Sequence, residues 1–380
     1  MKILFSSIGS HGHTYPLIPL AVAARRQGHE VVYVTSEPFA NALKAHDVEH
    51  VTGGLDIGAA FASLSAAGPG NDRPHDIDPK LIAKMFGYVL PRAFATDLAP
   101  VIAERRPDLV VHELANVGAG LAAQVAGVPA LCHGFGRMWS GDEFTDAADF
   151  MHQAAEEIGG RVPEQNPMLL DNPYLDICPP SVQAPEFLGT ANRIELRPVP
   201  FAEPGELPAW VTEHREPLVY LTLGTAFGDA GVLRAAITGL AALGTRVLVA
   251  AGPTVSTDAL GEVPDNVVVL PWVPQADLLP HVDLVVHHGG SGTTMGSFGA
   301  GVPQLVLPQG ADQFSNAAAV TAAGLGDQLL GEQVTAEAVA DVARRLLADE
   351  AVRDAAGAIA AEVAAMPSPD EVAATLPRYA

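Results

Sequence analysis

Positive charge is what this chain has least of. Its 21 lysines and arginines stand against 44 aspartates and glutamates, a formal net charge of -23 at pH 7. A field of that sign repels phosphodiester backbones and anionic lipid, which argues against nucleic acid and an acidic membrane surface as partners. An anionic ligand must then be held by local devices such as helix N-termini and histidines. Cysteine is equally scarce. Cys132 and Cys178 form no CxxC pair, and neither they nor the histidines show metal-ligand spacing, so no metal site and no disulfide framework is expected. No run approaches the roughly eighteen apolar residues of a membrane span. The apolar stretch after Lys2 is interrupted by Gly9, His11, Gly12 and His13 too early for a signal peptide, and the expected location is cytoplasmic. Also missing is GxGxxG after the first strand, where the loop reads GSHGHTYP; a nicotinamide-dinucleotide reading therefore lacks its fingerprint.

What is present is a β/α rhythm. At 380 residues, 48% hydrophobic and 17% charged, the chain has the length of two globular domains. Short β-branched runs read as buried parallel strands: Lys2 to Ser7, His29 to Thr35, Val48 to Thr52, Asp108 to His112 and Pro129 to His133. His11 and His13 follow the first of these and Glu113 ends the fourth, at the carboxyl ends of strands where α/β proteins place their chemistry. Gly53 to Asp78 reads as a loop. Its Asp76-Ile77-Asp78 has the DxD spacing of some metal sites, but it precedes a proline and reads as a turn and helix cap. Lys80 to Arg106 reads as helix with interruptions at Pro91 and Pro100. Its Met85, Phe86, Tyr88 and Phe94 fit either core packing or an apolar acceptor pocket, and Phe135, Met138 and Trp139 form a second apolar wall after a strand end.

From Gly189 to Pro217 periodicity dissolves, which marks the domain boundary. The expected organisation is an N-terminal domain over 1–200, a linker over 201–216, a C-terminal domain over 217–365 and a final helix over 366–380. Five more strands follow the boundary: Leu218 to Leu223, Arg246 to Ala251, Val267 to Leu270, Asp283 to Val286 and Gln304 to Leu307. Trp272 stands at a strand end, where an indole suits either a core or a stacked nucleobase, with Val273 offering backbone groups to the base edge.

The densest stretch is DLVVHHGGSGTTMGSFGAGVPQLVLPQGADQFSN, Asp283 to Asn316. Gly289, Gly290 and Gly292 permit a tight turn, and Ser291, Thr293 and Thr294 suit the start of a helix. The first N–H groups of that helix have no partner within it, and its dipole places about half a positive charge there. A phosphate fits such a seat without metal or lysine, with His288 as a further donor. Asp312 and Gln313, in the loop after the next strand, suit sugar hydroxyls.

Taken together, GSHGHTYPLIPLA, PDLVVHE, YLTLGT, WVPQADLLPHVDLVVHHGGSGTT, GVPQLVLPQGADQF and AAMPSPDEV resemble the metal-independent GT-B glycosyltransferases that glycosylate small natural products, and in particular those that attach deoxysugars to actinobacterial antibiotics. The resemblance spans almost the whole chain. It implies an α/β fold of two Rossmann-like domains facing a cleft, with the C-terminal helix crossing back to the N-domain. It implies His13, in His13-Thr14-Tyr15-Pro16, as the general base of an inverting transfer, Glu113 as its partner, and His11 with Phe86, Phe135, Met138 and Trp139 on the acceptor side. On the donor side it implies Trp272, Val273 and Gln275 for base and ribose, His288, Gly290, Ser291, Gly292 and Thr293 for the diphosphate, Thr225 in the first loop of the domain, and Asp312 and Gln313 for the sugar. The implied partners are a nucleotide sugar and a small-molecule aglycone, with no cofactor or metal; a homodimer is compatible with it. One position departs. UDP-sugar users of this family commonly carry a ribose-binding glutamate eight positions after the phosphate histidine, and here that position is Gly296, which points to a dTDP-sugar. A catalytically silent auxiliary protein and a nucleotide-sugar epimerase of the same architecture are the alternatives.

Overall fold

The computed structural model describes residues 1–64, 78–138, 145–189, 192–201, 203, 205–225, 228–256 and 260–380. The chain divides into two units. One comprises Met1–Cys178, Gln183–Val199 and Met366–Ala380, the other Pro179–Val182 and Pro200–Ala365.

In the first unit β1 (Lys2–Ser6), β2 (Glu30–Thr35), β3 (Glu49–Thr52), β4 (Leu109–Glu113), β5 (Ala130–His133), β6 (Tyr174–Asp176) and β7 (Arg193–Glu195) form one sheet in the order β3-β2-β1-β4-β5-β6-β7. The second unit holds β8 (Leu218–Thr222), β9 (Arg246–Ala250), β10 (Val267–Leu270), β11 (Leu284–His287), β12 (Gln304–Val306) and β13 (Gly326–Gln328), ordered β10-β9-β8-β11-β12-β13. The strand pairings in both sheets are parallel. Helices cover both faces of such sheets, which is why the central strands are buried at every residue instead of alternating: LVVHE in β4, LVYLT in β8 and LVVH in β11. These are the two Rossmann-like domains expected.

Strand order locates the chemistry. In the first sheet the winding reverses between β1 and β4, in the second between β8 and β11. At such a switch point the loops leaving two neighbouring strands diverge, and a crevice opens at the strands' carboxyl ends. His11 and His13 follow β1 and Glu113 ends β4; Gly224 and Thr225 follow β8, and His288 to Gly290 follow β11.

The final segment returns to the first unit, as expected. Ser368 caps the Pro369–Ala373 helix, accepting from the Glu371 N–H, while the Glu371 carboxylate accepts from the Ser368 N–H at 2.8 Å. Val372, Ala373 and Leu376 are buried, and this helix packs against Ile18–Arg26. Arg26 meets Asp370 at 2.7 Å, but both side chains are more than half exposed, so the docking rests on apolar burial.

Several local expectations change. The Lys80 to Arg106 helix is interrupted by a π-helical turn over Met85–Val89, after which Leu90–Arg105 runs on with Pro100 inside it. The π turn absorbs the missing N–H of Pro91, and the second break does not form. Asp78 caps the Pro79–Lys84 helix through the Lys80 N–H at 3.0 Å, as a turn-and-cap reading requires; Asp76 and Ile77 lie outside the described residues. Gly53 to Asp78 contains a helix, Ile57–Leu64. The stretch read as aperiodic from Gly189 contains β7 and a short helix, Ala209–Glu213. Gln313 opens a helix instead of lying in a loop. Among the described residues no helix is long and apolar enough to cross a membrane.

Candidate active site

Two constellations stand at the two switch points. In the first unit β1 leads into a single helical turn, His11–Thr14. A buried hydroxyl cluster fixes that turn to the sheet: Tyr33 donates to Ser7 Oγ at 3.0 Å, Ser7 to Thr14 Oγ1 at 3.0 Å, and Thr14 to the Ile8 carbonyl at 3.0 Å. The turn carries His13 to Glu113, with Nδ1 and Oε1 3.1 Å apart, the carboxylate fully buried and the histidine side chain 15% exposed. Glu113 is held in turn, since Oε1 accepts the Ala115 N–H at 2.5 Å. The His13 ring lies 4.7 Å from the Phe135 ring and 6.3 Å from that of Phe86. A buried carboxylate facing one ring nitrogen at 3.1 Å orients the imidazole electrostatically.

Met138 is buried and its N–H donates to Gln183 Oε1 at 2.8 Å; Gln183 also donates to the buried Asp176, which accepts from Arg193 at 2.8 Å. Burial raises the Asp176 pKa, opposed by the Cys178 N–H, Arg193 and Gln183. His11 packs edge-on against Tyr15 and Phe39, at ring distances of 5.0 and 5.3 Å, rather than on Glu113. Trp139 lies outside the described residues.

In the second unit the Ser291–Ala300 helix starts at Gly290, which has no side chain with which to cap it. Ser, Thr or Asp at that position would occupy the free N–H groups; glycine leaves them for a ligand. The His288 ring stands between two glycines. A Cβ on Gly224 would fall 2.5 Å from its Nε2 and one on Gly290 2.3 Å from the same atom. Burial lowers the His288 pKa to about 4, with the Thr222 backbone opposing, so the ring is neutral at physiological pH. Ser291 donates to Asp312 Oδ2 at 2.7 Å, and Asn316 Nδ2 bridges the Gly289 carbonyl at 2.9 Å and Asp312 at 3.1 Å. Thr293 donates to Gln275 Oε1 at 3.1 Å, and Tyr220 to the same oxygen at 3.3 Å. The turn, the Asp312 loop and Gln275 are therefore one connected set.

Trp272 is 43% exposed while Val273 beside it is buried. Gln313 is buried, and its Oε1 accepts the Gln309 and Gly310 N–H groups at 2.7 and 3.1 Å, which ties the Asp312 loop together. Sequence reading missed the Ser7, Thr14 and Tyr33 cluster, Gln183 and Asn316. Of these, only Asn316 lies within the Asp283 to Asn316 stretch. Among the described residues no group of three or more His, Cys, Asp or Glu side chains is arranged to hold a metal ion.

Residues 235–378 match the C-terminal domain of the erythromycin biosynthesis protein CIII-like family. Over its length the chain is 32% identical to the elloramycin glycosyltransferase ElmGT of Streptomyces olivaceus, covering 99% of this chain and 97% of that one. It belongs to the GT-B nucleotide-sugar-dependent glycosyltransferase family. Other family members include the L-demethylnoviosyl transferase of Streptomyces niveus, 30% identical across 95% of this chain and 97% of that one. The crystal structure of glycosyltransferase SsfS6 from Streptomyces sp. SF2575, in complex with thymidine diphosphate, superposes on 100% of this chain and 99% of its own with a TM-score of 0.80 at 26% identity. This family member thus carries both constellations on the family's own fold.

Proposed function

We propose that this glycosyltransferase moves a deoxysugar from a dTDP-sugar to a hydroxyl of a hydrophobic natural-product aglycone, with inversion at the anomeric carbon. The observation that carries the reading is the His13–Glu113 pair, 3.1 Å apart at the carboxyl ends of neighbouring strands. His13 takes the acceptor proton as the acceptor oxygen forms its bond to C1 of the sugar. The bond from C1 to the diphosphate oxygen breaks, and dTDP departs with the bonding electrons. Buried Glu113 stabilises the imidazolium that results, and a base so placed contributes about 10²–10⁴ in rate. Phe86, Phe135 and Met138 supply the apolar acceptor wall. Inversion turns an α-linked donor into a β-glycoside.

In the second unit the free N–H groups at the Ser291–Ala300 helix start, with His288 and Thr225, take the charge that collects on the departing diphosphate. The thymidine diphosphate in the SsfS6 structure supports dTDP as the leaving nucleotide, and Gly296, which cannot grip a 2′-hydroxyl, supports it independently. Single-turnover kinetics on His13→Ala test the reading: turnover should fall at least about a hundredfold while calorimetric affinity for dTDP is kept. Normal turnover in that variant overturns the assignment of the base.

A further inference from the structure

We propose that His287, not only its neighbour His288, governs diphosphate affinity, as a positioning residue whose ring Nδ1 accepts the Gly289 N–H and so sets the direction of the turn. The inference rests on the reading of the Gly290 turn as the diphosphate seat. His287 is the last residue of β11 and is fully buried. Its Nδ1 lies 3.1 Å from the Gly289 nitrogen, and its Nε2 lies 2.9 Å from Gln304 Oε1 on β12. A backbone N–H can only donate, so Nδ1 must be the acceptor and the ring proton must sit on Nε2, where it donates to the Gln304 oxygen. Both contacts demand the same tautomer. A second proton on the ring would set Nδ1–H against the Gly289 N–H and break the contact.

The other side of the same glycine is also held, because the Gly289 carbonyl accepts from Asn316 Nδ2 at 2.9 Å. Gly289 itself stands at φ +91°, and a Cβ there would fall 2.8 Å from both the Gln313 carbonyl oxygen and Val306 Cγ1. The turn is thus pinned by a side chain at each peptide group and by close packing between them. The next peptide groups are those of Gly290 and Ser291, which open the helix. Their direction is inherited from Gly289, and donors fixed before the ligand arrives are worth more than donors that must be ordered by it. The same turn sets where the His288 ring stands. His287 therefore acts without touching the ligand.

The test compares His287→Leu, His287→Asn and His287→Gln. Asparagine presents its Oδ1 near the position of Nδ1 and can accept the Gly289 N–H; glutamine, one methylene longer, cannot hold that geometry, and leucine has no acceptor. Affinities for dTDP are measured by calorimetry, those for thymidine by ligand-observed NMR, and thermal melts are run beside them. In His287→Leu the dTDP Kd should rise about tenfold or more while the thymidine Kd stays unchanged, and His287→Asn should return the dTDP Kd to within about threefold of the parent. Unaltered dTDP affinity in His287→Leu overturns the proposal, as does an equal loss for dTDP and thymidine, the mark of a merely structural role. If His287→Leu does not fold, the contrast moves to the polar pair: weak dTDP binding in His287→Gln beside near-parental binding in His287→Asn supports the proposal, and equal affinities overturn it. An unmodified protein that fails to bind dTDP overturns the donor-seat reading as well, and so separates the two failures.

Discussion

Substituting Gly296 by glutamate should move nucleotide preference from deoxyribose toward ribose. Position 296 is buried in the second turn of the Ser291–Ala300 helix, and a Cβ there would lie 3.9 Å from Gln275 Nε2, 3.8 Å from Pro200 Cγ and 2.8 Å from Leu279 Cδ1. The new side chain therefore starts beside Gln275. The contact with Leu279 involves the far end of a flexible side chain, which can rotate away. Replacing glycine within a helix gains roughly 0.5–1 kcal/mol, which offsets part of that rearrangement. A carboxylate that accepts a ribose hydroxyl contributes about 1.5–3 kcal/mol per bond. UDP and dUDP differ in the 2′-hydroxyl alone, so the ratio of their Kd values isolates one such bond. That ratio should shift about 10- to 150-fold toward UDP in Gly296→Glu, as read by calorimetry. Gly296→Ala, which meets Leu279 but accepts no hydrogen bond, should leave the ratio where it was. A ratio unchanged in a folded Gly296→Glu variant would refute the link between this glycine and the deoxynucleotide.

Gly290→Ala places a methyl 2.3 Å from His288 Nε2 at a backbone angle any residue adopts, so the ring must move, and dTDP affinity measured by calorimetry should fall while the melting temperature changes little. Glu113→Gln keeps the acceptor for the Ala115 N–H but removes the charge facing His13, and kcat should fall about a hundredfold or more with the dTDP Kd unchanged. His112, His133 and His287 are fully buried, and burial holds their pKa values at about 4, about 4 and about 3. Their ordinary value is near 6.5, so the unfolded chain binds these protons first. Stability is then complete above about pH 6.5 and falls as the pH drops toward 4, with a slope near pH 5 of about 4 kcal/mol per unit for the three together. Denaturant melts at pH 7 and pH 5 check this, and equal stabilities would contradict it.

The alternation of apolar runs with turns was enough to read most of the strands, because parallel strands buried on both faces are written as uninterrupted β-branched residues. β6, β7 and β13 escaped that reading. Each has three residues, and GDQ in β13 carries no apolar signal at all. The Thr145–Ile158 helix lies in a stretch that the alternation of apolar runs and turns does not mark. At the site, His13 and Glu113 were visible as residues at strand ends, since strand ends can be counted along a chain. What holds them was not. Tyr33 lies 26 residues from Ser7 in sequence, and its hydroxyl contact follows from the β1–β2 register, which no local pattern encodes. Gln313 adds a second contact of this kind: its side-chain carbonyl accepts two backbone N–H groups of its own loop, which no local pattern announces.

The most direct measurement is product analysis by mass spectrometry and NMR, with dTDP-deoxysugars and UDP-sugars offered against polyketide and flavonoid acceptors, and with acceptor-free controls. A β-glycoside should form from an α-linked dTDP-sugar, with one dTDP released per glycoside, and the His13→Ala protein should form almost none. Retention at the anomeric carbon, equal product from His13→Ala, or sugar-nucleotide conversion without any acceptor would contradict an inverting transfer driven by the His13–Glu113 pair.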